Sequence, residues 1–384
     1  MRSNRLGKLP PYLFDEIDRL KESYMGSGTE ILDLGIGDPD IFPPDKLIKA
    51  LINSLDNPQF HRYPSGDGLP RLKLAIREWL RKRYDIEFKN EEILVTIGSK
   101  EAIGHMPLAV VDPGDTVLIP DPGYPVYNSS AVLAGAQVHT MPLTEEHGYW
   151  PAFEKIPDKV SGKSKLMYLN YPNNPTSAVA DREKFTGAVE YCRRNNIALA
   201  NDAAYSEISF DHPACLLFPV AREAGVSYLE FFSFSKSLSI AGWRIGFAVG
   251  SEDIISSLLK MKANVDSGAF SAVQNAVAVM LNGDFEKVTR SIMSVYRERR
   301  GILSSGLDRA GFDYIFPEAT FYFWIKTPGD FNSIRFCKYL LKKTGIVCTP
   351  GVGFGKYGEG HFRLSLTADT EVIKKAGEKL AAFS

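Results

Sequence analysis

The sequence has little cysteine, almost no net charge and no long apolar run, and each shortage removes a class of function. Cys192, Cys215, Cys337 and Cys348 are the only cysteines among 384 residues. They form neither a CxxC pair nor a Cys/His cluster, which argues against a zinc site or a disulfide framework and for a reducing compartment. The six histidines, among them His61, His105 and His139, lack metal-ligand spacing, so no metal is expected. Lysine and arginine number 45 against 46 aspartates and glutamates, a formal net charge of −1. No overall basic field therefore points to nucleic acid or an anionic membrane. The densest basic runs, Arg81-Lys82-Arg83 and Arg297 to Arg300, fit solvated helix faces. No apolar run reaches the ~18 residues of a membrane span, and the opening MRSNRLGKLPPYLF has no secretory h-region. The expected location is the cytoplasm.

What is present is a large apolar fraction. Hydrophobic residues make up 44% of the chain and charged residues 24%, a balance that suits a substantial core spread over about two to three domains. Between about residues 91 and 250, short apolar runs alternate with helix-like stretches. The runs are ILVTI (93–97), TVLIP (116–120), LMYLNY (166–171), IALAND (197–202), YLEFFSF (228–234) and IGFAVG (245–250). A helix is expected to begin near Ser99, and another to cover Asp181 to Asn195. Buried apolar strands alternating with helices predict an α/β domain with a mostly parallel sheet and helices on both faces. After Ser251 the pattern changes to long amphipathic helices (252–310), strand-like YIFP, FYFWIK and HFRLSL, and a helix from Thr370. This predicts a large domain over residues 46–285 and a smaller α+β domain made of 1–45 and 286–384.

In open α/β sheets ligands bind just beyond the carboxyl ends of the strands. Three successive strand ends deliver Asn174, then Asp202 with Tyr205, then Lys236 flanked by Ser233 and Ser235. A lysine at a buried strand end is a candidate Schiff-base nucleophile, because burial and neighbouring positive charge lower its pKa. An acid opposite a pyridine nitrogen, partners for a ring oxygen and a cradle for a phosphate complete the needs of pyridoxal phosphate. Arg244 and the turn Gly98-Ser99-Lys100-Glu101, which opens a helix after a strand, suit that cradle. Taken singly, Asp202 could be a helix N-cap, Asn174 a turn residue, and Tyr124 and Tyr205 core aromatics; it is their register that argues for a site. Gly353 to Gly358 fits GxGxxG, but the strand-like HFRLSL follows it where a dinucleotide fold needs a helix, so it is rejected.

The run Ser233 to Gly246, SFSKSLSIAGWRIG, resembles the signature of class I/II aminotransferases, of pyridoxal-phosphate fold type I. Asn-Pro-Thr, Asp-x-x-Tyr, Ser-x-x-Lys and Arg follow in that family's order, and the likeness extends from Gly35-Ile36-Gly37 to Arg363. The resemblance implies that Lys236 carries the cofactor and moves the substrate α-proton. It implies that Asp202 partners the ring nitrogen, Asn174 and Tyr205 the ring oxygen, and Tyr124 the ring face. Ser99, Lys100, Ser233, Ser235 and Arg244 fall at phosphate positions, Lys100 through its backbone. Arg363 resembles the fork that grips a substrate carboxylate, with Gly37 and Asn174 beside it. Tyr63 resembles a tyrosine lent to the phosphate by a second subunit, which implies a homodimer with shared sites.

Ser177 departs from the family's Asn-Pro-Thr-Gly, and the expectation is a slightly different turn. The segments Lys8 to Phe14, Asn264 to Phe270 and Pro350 to Gly360 look most like the LL-diaminopimelate aminotransferases. The implied reaction is ping-pong transfer of an amino group between LL-2,6-diaminopimelate and 2-oxoglutarate, a step of lysine biosynthesis. Asp67 is the candidate for the distal ammonium of that substrate, against its reading as an exposed turn aspartate. An aspartate or alanine aminotransferase is the alternative reading, followed by a β-lyase or a non-catalytic pyridoxal-phosphate sensor. No helix-turn-helix module precedes the catalytic fold, which speaks against the sensor.

Overall fold

The computed structural model describes residues 3–9, 21 and 30–383; the Pro10 to Phe14 part of the N-terminal segment lies outside them. The six predicted runs become β2 (Ile93–Thr96), β3 (Thr116–Asp121), β5 (Ser164–Leu169), β6 (Ala198–Asp202), β7 (Tyr228–Ser233) and β8 (Gly246–Gly250), and a seventh strand, β4 (Gln137–Pro142), joins them. A two-residue β1 (Leu32–Asp33) precedes them. They form one sheet in the order β2-β8-β7-β6-β5-β3-β4, parallel from β7 through β4, with β8 antiparallel to both neighbours.

Alternation within the buried strands sorts the side chains to two faces. Ile93 and Val95, Met167 and Leu169, Leu199, and Phe247 and Val249 pack into one core. Their neighbours Leu94, Leu166 and Tyr168, Ala198 and Ala200, and Ala248 pack into the other. The period of two along a strand requires this when both faces are covered. Helices Pro70–Tyr84, Arg182–Asn195 and Ser271–Leu281 cover the first face. Helices Ser99–Val110, Val126–Ala134 and Glu252–Ala263 cover the second. The chain thus has the layered α/β architecture expected of it.

A separate core gathers Leu32 and Leu34 with side chains from Ile292 onward and with Tyr205, Ile208 and Phe210. Its sheet has the order β11 (Thr349–Pro350), β12 (His361–Ser365), β9 (Tyr322–Lys326), all antiparallel. β10 (Ile346–Val347) pairs with β1 in parallel. Helix Phe285–Arg309 runs from one core to the other, with Phe285 in the first and Ile292 to Leu307 in the second.

One expectation is corrected. YIFP is not a strand: Tyr314 forms only an isolated bridge to Ile325, and Ile315 and Phe316 are exposed. β4 escaped the sequence reading because it is an edge strand whose residues are mostly part-buried, so it lacks the apolar run of its neighbours. Residues 351–358 form short 3-10 turns ahead of β12, which bears out the rejection of GxGxxG. Among the described residues no helix is long and apolar enough to cross a membrane.

Candidate active site

The carboxyl ends of β2, β3, β5, β6 and β7 and the start of β8 meet at one edge of the sheet, and a cavity of about 200 Å³ opens there. Its wall contains Gly37, Ser99, Lys100, Tyr124, Asn174 and Asp202, then Tyr205, Ser233, Ser235, Lys236, Arg244 and Arg363. Twelve of the residues singled out from the sequence therefore share one space.

Lys236 stands in the one-turn helix Phe234–Ser237 that follows β7 and is part-exposed through the cavity. Its Nζ donates to the Gly37 carbonyl at 3.1 Å. Burial lowers its pKa to about 8; Asp38 and Asp202 oppose that shift, and Arg244 and Arg363 add to it. A lysine so placed is partly neutral near pH 8 and can act as nucleophile or base.

Asp202 ends β6, almost fully buried. Tyr127 donates to its Oδ2 at 2.8 Å and the Ala204 N–H to its Oδ1 at 3.2 Å. Burial pushes its pKa up to about 6 against those bonds and against Lys236, so this buried carboxylate lacks a full counter-charge. A cationic ring nitrogen would supply one. Tyr205 shares a 3.0 Å hydrogen bond with the Tyr322 hydroxyl; burial raises its pKa well above the ordinary value, so the phenol stays protonated and can donate.

The opposite end of the cavity suits an anion. Helix Ser99–Val110 begins without a side-chain cap, so its first N–H groups are unclaimed by one. Gly98 takes φ +70°, and a Cβ there would come 2.6 Å from an Arg244 Nη atom. Glycine is required for the guanidinium to lie against this helix start. Arg244 donates to the Ala241 carbonyl at 2.7 Å, and among the described residues no carboxylate pairs with it. The Ser233 and Ser235 hydroxyls have no hydrogen-bond partner among the described residues. Hydroxyls, helix N–H groups and a guanidinium without a carboxylate partner among the described residues form a phosphate-binding donor set, so the residues fit pyridoxal phosphate end to end.

Arg363, on β12, is 1% exposed. It donates to Asn174 Oδ1 at 2.8 Å and to the Gly35 carbonyl at 2.9 Å, while its Nε has no partner. The rings of Tyr322 and Phe354 lie 4.0 and 4.7 Å from its guanidinium carbon. A buried guanidinium with an unused N–H and, among the described residues, no carboxylate partner is prepared for an anionic ligand.

Two sequence candidates lie elsewhere in the single chain. Tyr63 is 90% exposed and outside the cavity. Asp67 faces a different cavity and pairs with Lys73 at 2.9 Å; burial opposes its charge, but bonds from Ser65 and Lys73 outweigh that and lower its pKa. Three residues of the site went unnoticed. Tyr127 and Tyr322 read as core aromatics of a helix and a strand, and Asn170, which donates to the Asp202 carbonyl at 2.6 Å, reads as the end of an apolar run. Nothing in their spacing separated them from packing residues.

Ser177 adopts a backbone conformation that glycine also takes. It takes φ +62°, the left-handed region that glycine favours, and its hydroxyl holds the position by bonds of 2.7 Å to Thr320 Oγ1 and to the Tyr322 carbonyl.

The family model for aminotransferase class I and II matches residues 29–380. The chain is 45% identical to the LL-diaminopimelate aminotransferase of Natranaerobius thermophilus over 99% of both chains. It is 44% identical to that of Aquifex aeolicus over 98% of both. Among solved structures, substrate-bound BacF from Bacillus subtilis superposes with a TM-score of 0.93 at 35% identity, covering 100% of this chain and 99% of that one. Thermus thermophilus aspartate aminotransferase with maleate superposes with a TM-score of 0.90 at 26% identity over 100% of both. With its fold, its lysine site and its sequence in agreement, the chain belongs to the class I and II aminotransferases, the pyridoxal-phosphate transaminases of fold type I.

Proposed function

We propose that this aminotransferase exchanges an amino group between LL-2,6-diaminopimelate and 2-oxoglutarate by a ping-pong route, in lysine biosynthesis. The observation that carries the substrate is the 40–45% identity, across nearly the whole chain, to relatives bearing that enzyme's name. Pyridoxal phosphate, when bound, accepts the electrons left on the substrate α-carbon and holds the amino group between the two half-reactions.

The chain's own residues do the rest. Lys236 would hold the cofactor and, once displaced by the substrate amine and neutral, would take the proton from the substrate α-carbon and pass it to the cofactor on the same face. Asp202, kept in place by Tyr127, balances a protonated ring nitrogen, while Asn174 and Tyr205 hold the ring oxygen. Tyr124 covers the ring. Ser99, Ser233, Ser235, Arg244 and the Lys100 backbone anchor the phosphate. Arg363 grips the α-carboxylate of each substrate in turn, with Gly37 and Asn174 beside it. Because donor and acceptor use the same site in succession, one carboxylate anchor serves both. The outlying Tyr63, with its ring almost fully exposed, suits a tyrosine lent to a second copy's phosphate. Asp67, on the same segment, is kept as the candidate for the distal ammonium, although Lys73 already claims one of its oxygens. We place the protein in the cytoplasm as a homodimer, with residues 46–285 as the cofactor domain and 1–45 with 286–384 as the small domain.

The test is glutamate formation from 2-oxoglutarate with LL-diaminopimelate, L-aspartate and L-alanine as rival donors. Diaminopimelate is expected to give the highest kcat/KM, with parallel double-reciprocal lines. Preference for aspartate or alanine would remove the substrate and keep the reaction; pyruvate and ammonia from a single amino acid would indicate a β-lyase.

A further inference from the structure

Outside the cavity, Glu101, His105 and Asp266 bring ligand-type atoms within 4.8 Å of one another, as a metal site would. A cation already serves this cluster. Lys262 is 0% exposed, and its Nζ lies 3.0 Å from Glu101 Oε2 and 2.6 Å from Asp266 Oδ1.

The two carboxylates belong to different parts of the site. Glu101 is in the first turn of helix Ser99–Val110, and its Oε2 also accepts from the Ile97 N–H at 2.9 Å. It thereby closes the turn that carries Gly98, Ser99 and Lys100, the helix start assigned to the phosphate. Asp266 shapes the following loop: its Oδ1 accepts from the Gly268 N–H at 2.7 Å, and its Oδ2 has no partner. Gly268 (φ +93°) fits against the segment bearing Tyr63, since a Cβ there would come 3.0 Å from the Ser65 carbonyl and 3.2 Å from the Pro64 ring. Gln274 fastens the same junction, accepting from the Leu69 N–H and donating to the Ala269 carbonyl, each at 2.7 Å.

We propose that Lys262 is a positioning residue that couples the phosphate-binding helix start to the loop on which the Tyr63 segment rests. Among the described residues its ammonium is the one group that bonds to both Glu101 and Asp266. The proposal rests on the cofactor reading above and concerns only the phosphate end. Without Lys262, two carboxylates face each other with only His105 and backbone N–H groups between them. Their repulsion moves the helix start away from the loop, while Lys236 and Asp202, which bond to neither Glu101 nor Asp266, keep their places.

The test compares cofactor-free wild type with Lys262→Met, titrating each with pyridoxal phosphate and with pyridoxal, which lacks the phosphate. Lys262→Met is expected to weaken pyridoxal phosphate binding about tenfold or more, the usual scale for groups orienting a site's direct ligands, and to leave pyridoxal binding nearly unchanged. A general loss of structure would weaken both alike. Lys262→Met with Asp266→Asn, which removes the charge left behind, provides the same comparison if the single variant does not fold. An unchanged ratio of the two affinities would overturn the role of Lys262. Failure of the wild type to bind pyridoxal phosphate would instead overturn the cofactor reading, and this proposal with it.

Discussion

At the residue scale the site is organised by burial acting on single charges. Asp202 illustrates the cost: an ionised carboxylate at the end of a buried strand is disfavoured, and its pKa rises to about 6 in the cofactor-free protein. A raised carboxyl pKa contributes stability that is complete below the unfolded-state value and is lost as pH rises through 6. Cofactor binding has the opposite sign, because a protonated ring nitrogen needs the anion. The affinity of the cofactor-free protein for pyridoxal phosphate is therefore expected to increase from pH 5 to 7. The phosphate's own second ionisation falls near the same pH, so the informative quantity is the wild-type affinity relative to Asp202→Asn. That ratio should grow by up to about tenfold per pH unit below 6 and level off above it. A ratio flat across the range would show that Asp202 does not face the ring nitrogen.

At the element scale, loops between rigid strands carry the site, and side-chain bonds between elements set their shape. Ser177, just after the Asn173 to Thr176 turn, ties the end of β5 to β9 and hence to Tyr322, whose ring lies on Arg363. Ser177→Ala keeps the left-handed backbone and loses both bonds. It is expected to cost about 1–3 kcal/mol, the range for unsatisfied buried partners. Ser177→Gly loses the same bonds but relieves the backbone, recovering about 1 kcal/mol. Thermal unfolding should rank the wild type above Ser177→Gly, and Ser177→Gly above Ser177→Ala. The reverse order of the two variants would mean that backbone strain at Ser177 is negligible.

At the scale of the whole molecule, the cavity lies between two cores, and Arg363 from the second reaches Asn174 of the first. The proposal that the exposed Tyr63 serves a second copy carries this logic further. Copies carrying Lys236→Ala and copies carrying Tyr63→Ala should each have little activity alone. Mixed after unfolding and refolding together, they should regain activity, because one site of a mixed dimer then holds both intact residues. If mixing restores nothing, Tyr63 is not shared between copies.

The sequence by itself determined the chemistry and most of the architecture. Apolar strands buried on both faces produce uninterrupted runs that are easy to recognise, and Lys236, Asp202, Arg244 and Arg363 follow or sit on such runs in a fixed order. β4, an edge strand, leaves no such run to recognise, and the exposed YIFP segment reads as a strand without forming one. Only the tertiary structure decided which side chains from outside the motifs meet the residues of the site. Tyr127 meets Asp202 across 75 positions of sequence and Tyr322 meets Tyr205 across 117; Lys262 reaches Glu101 across 161. Contacts of that span depend on how helices and sheets pack, and local spacing along the chain carries no record of them.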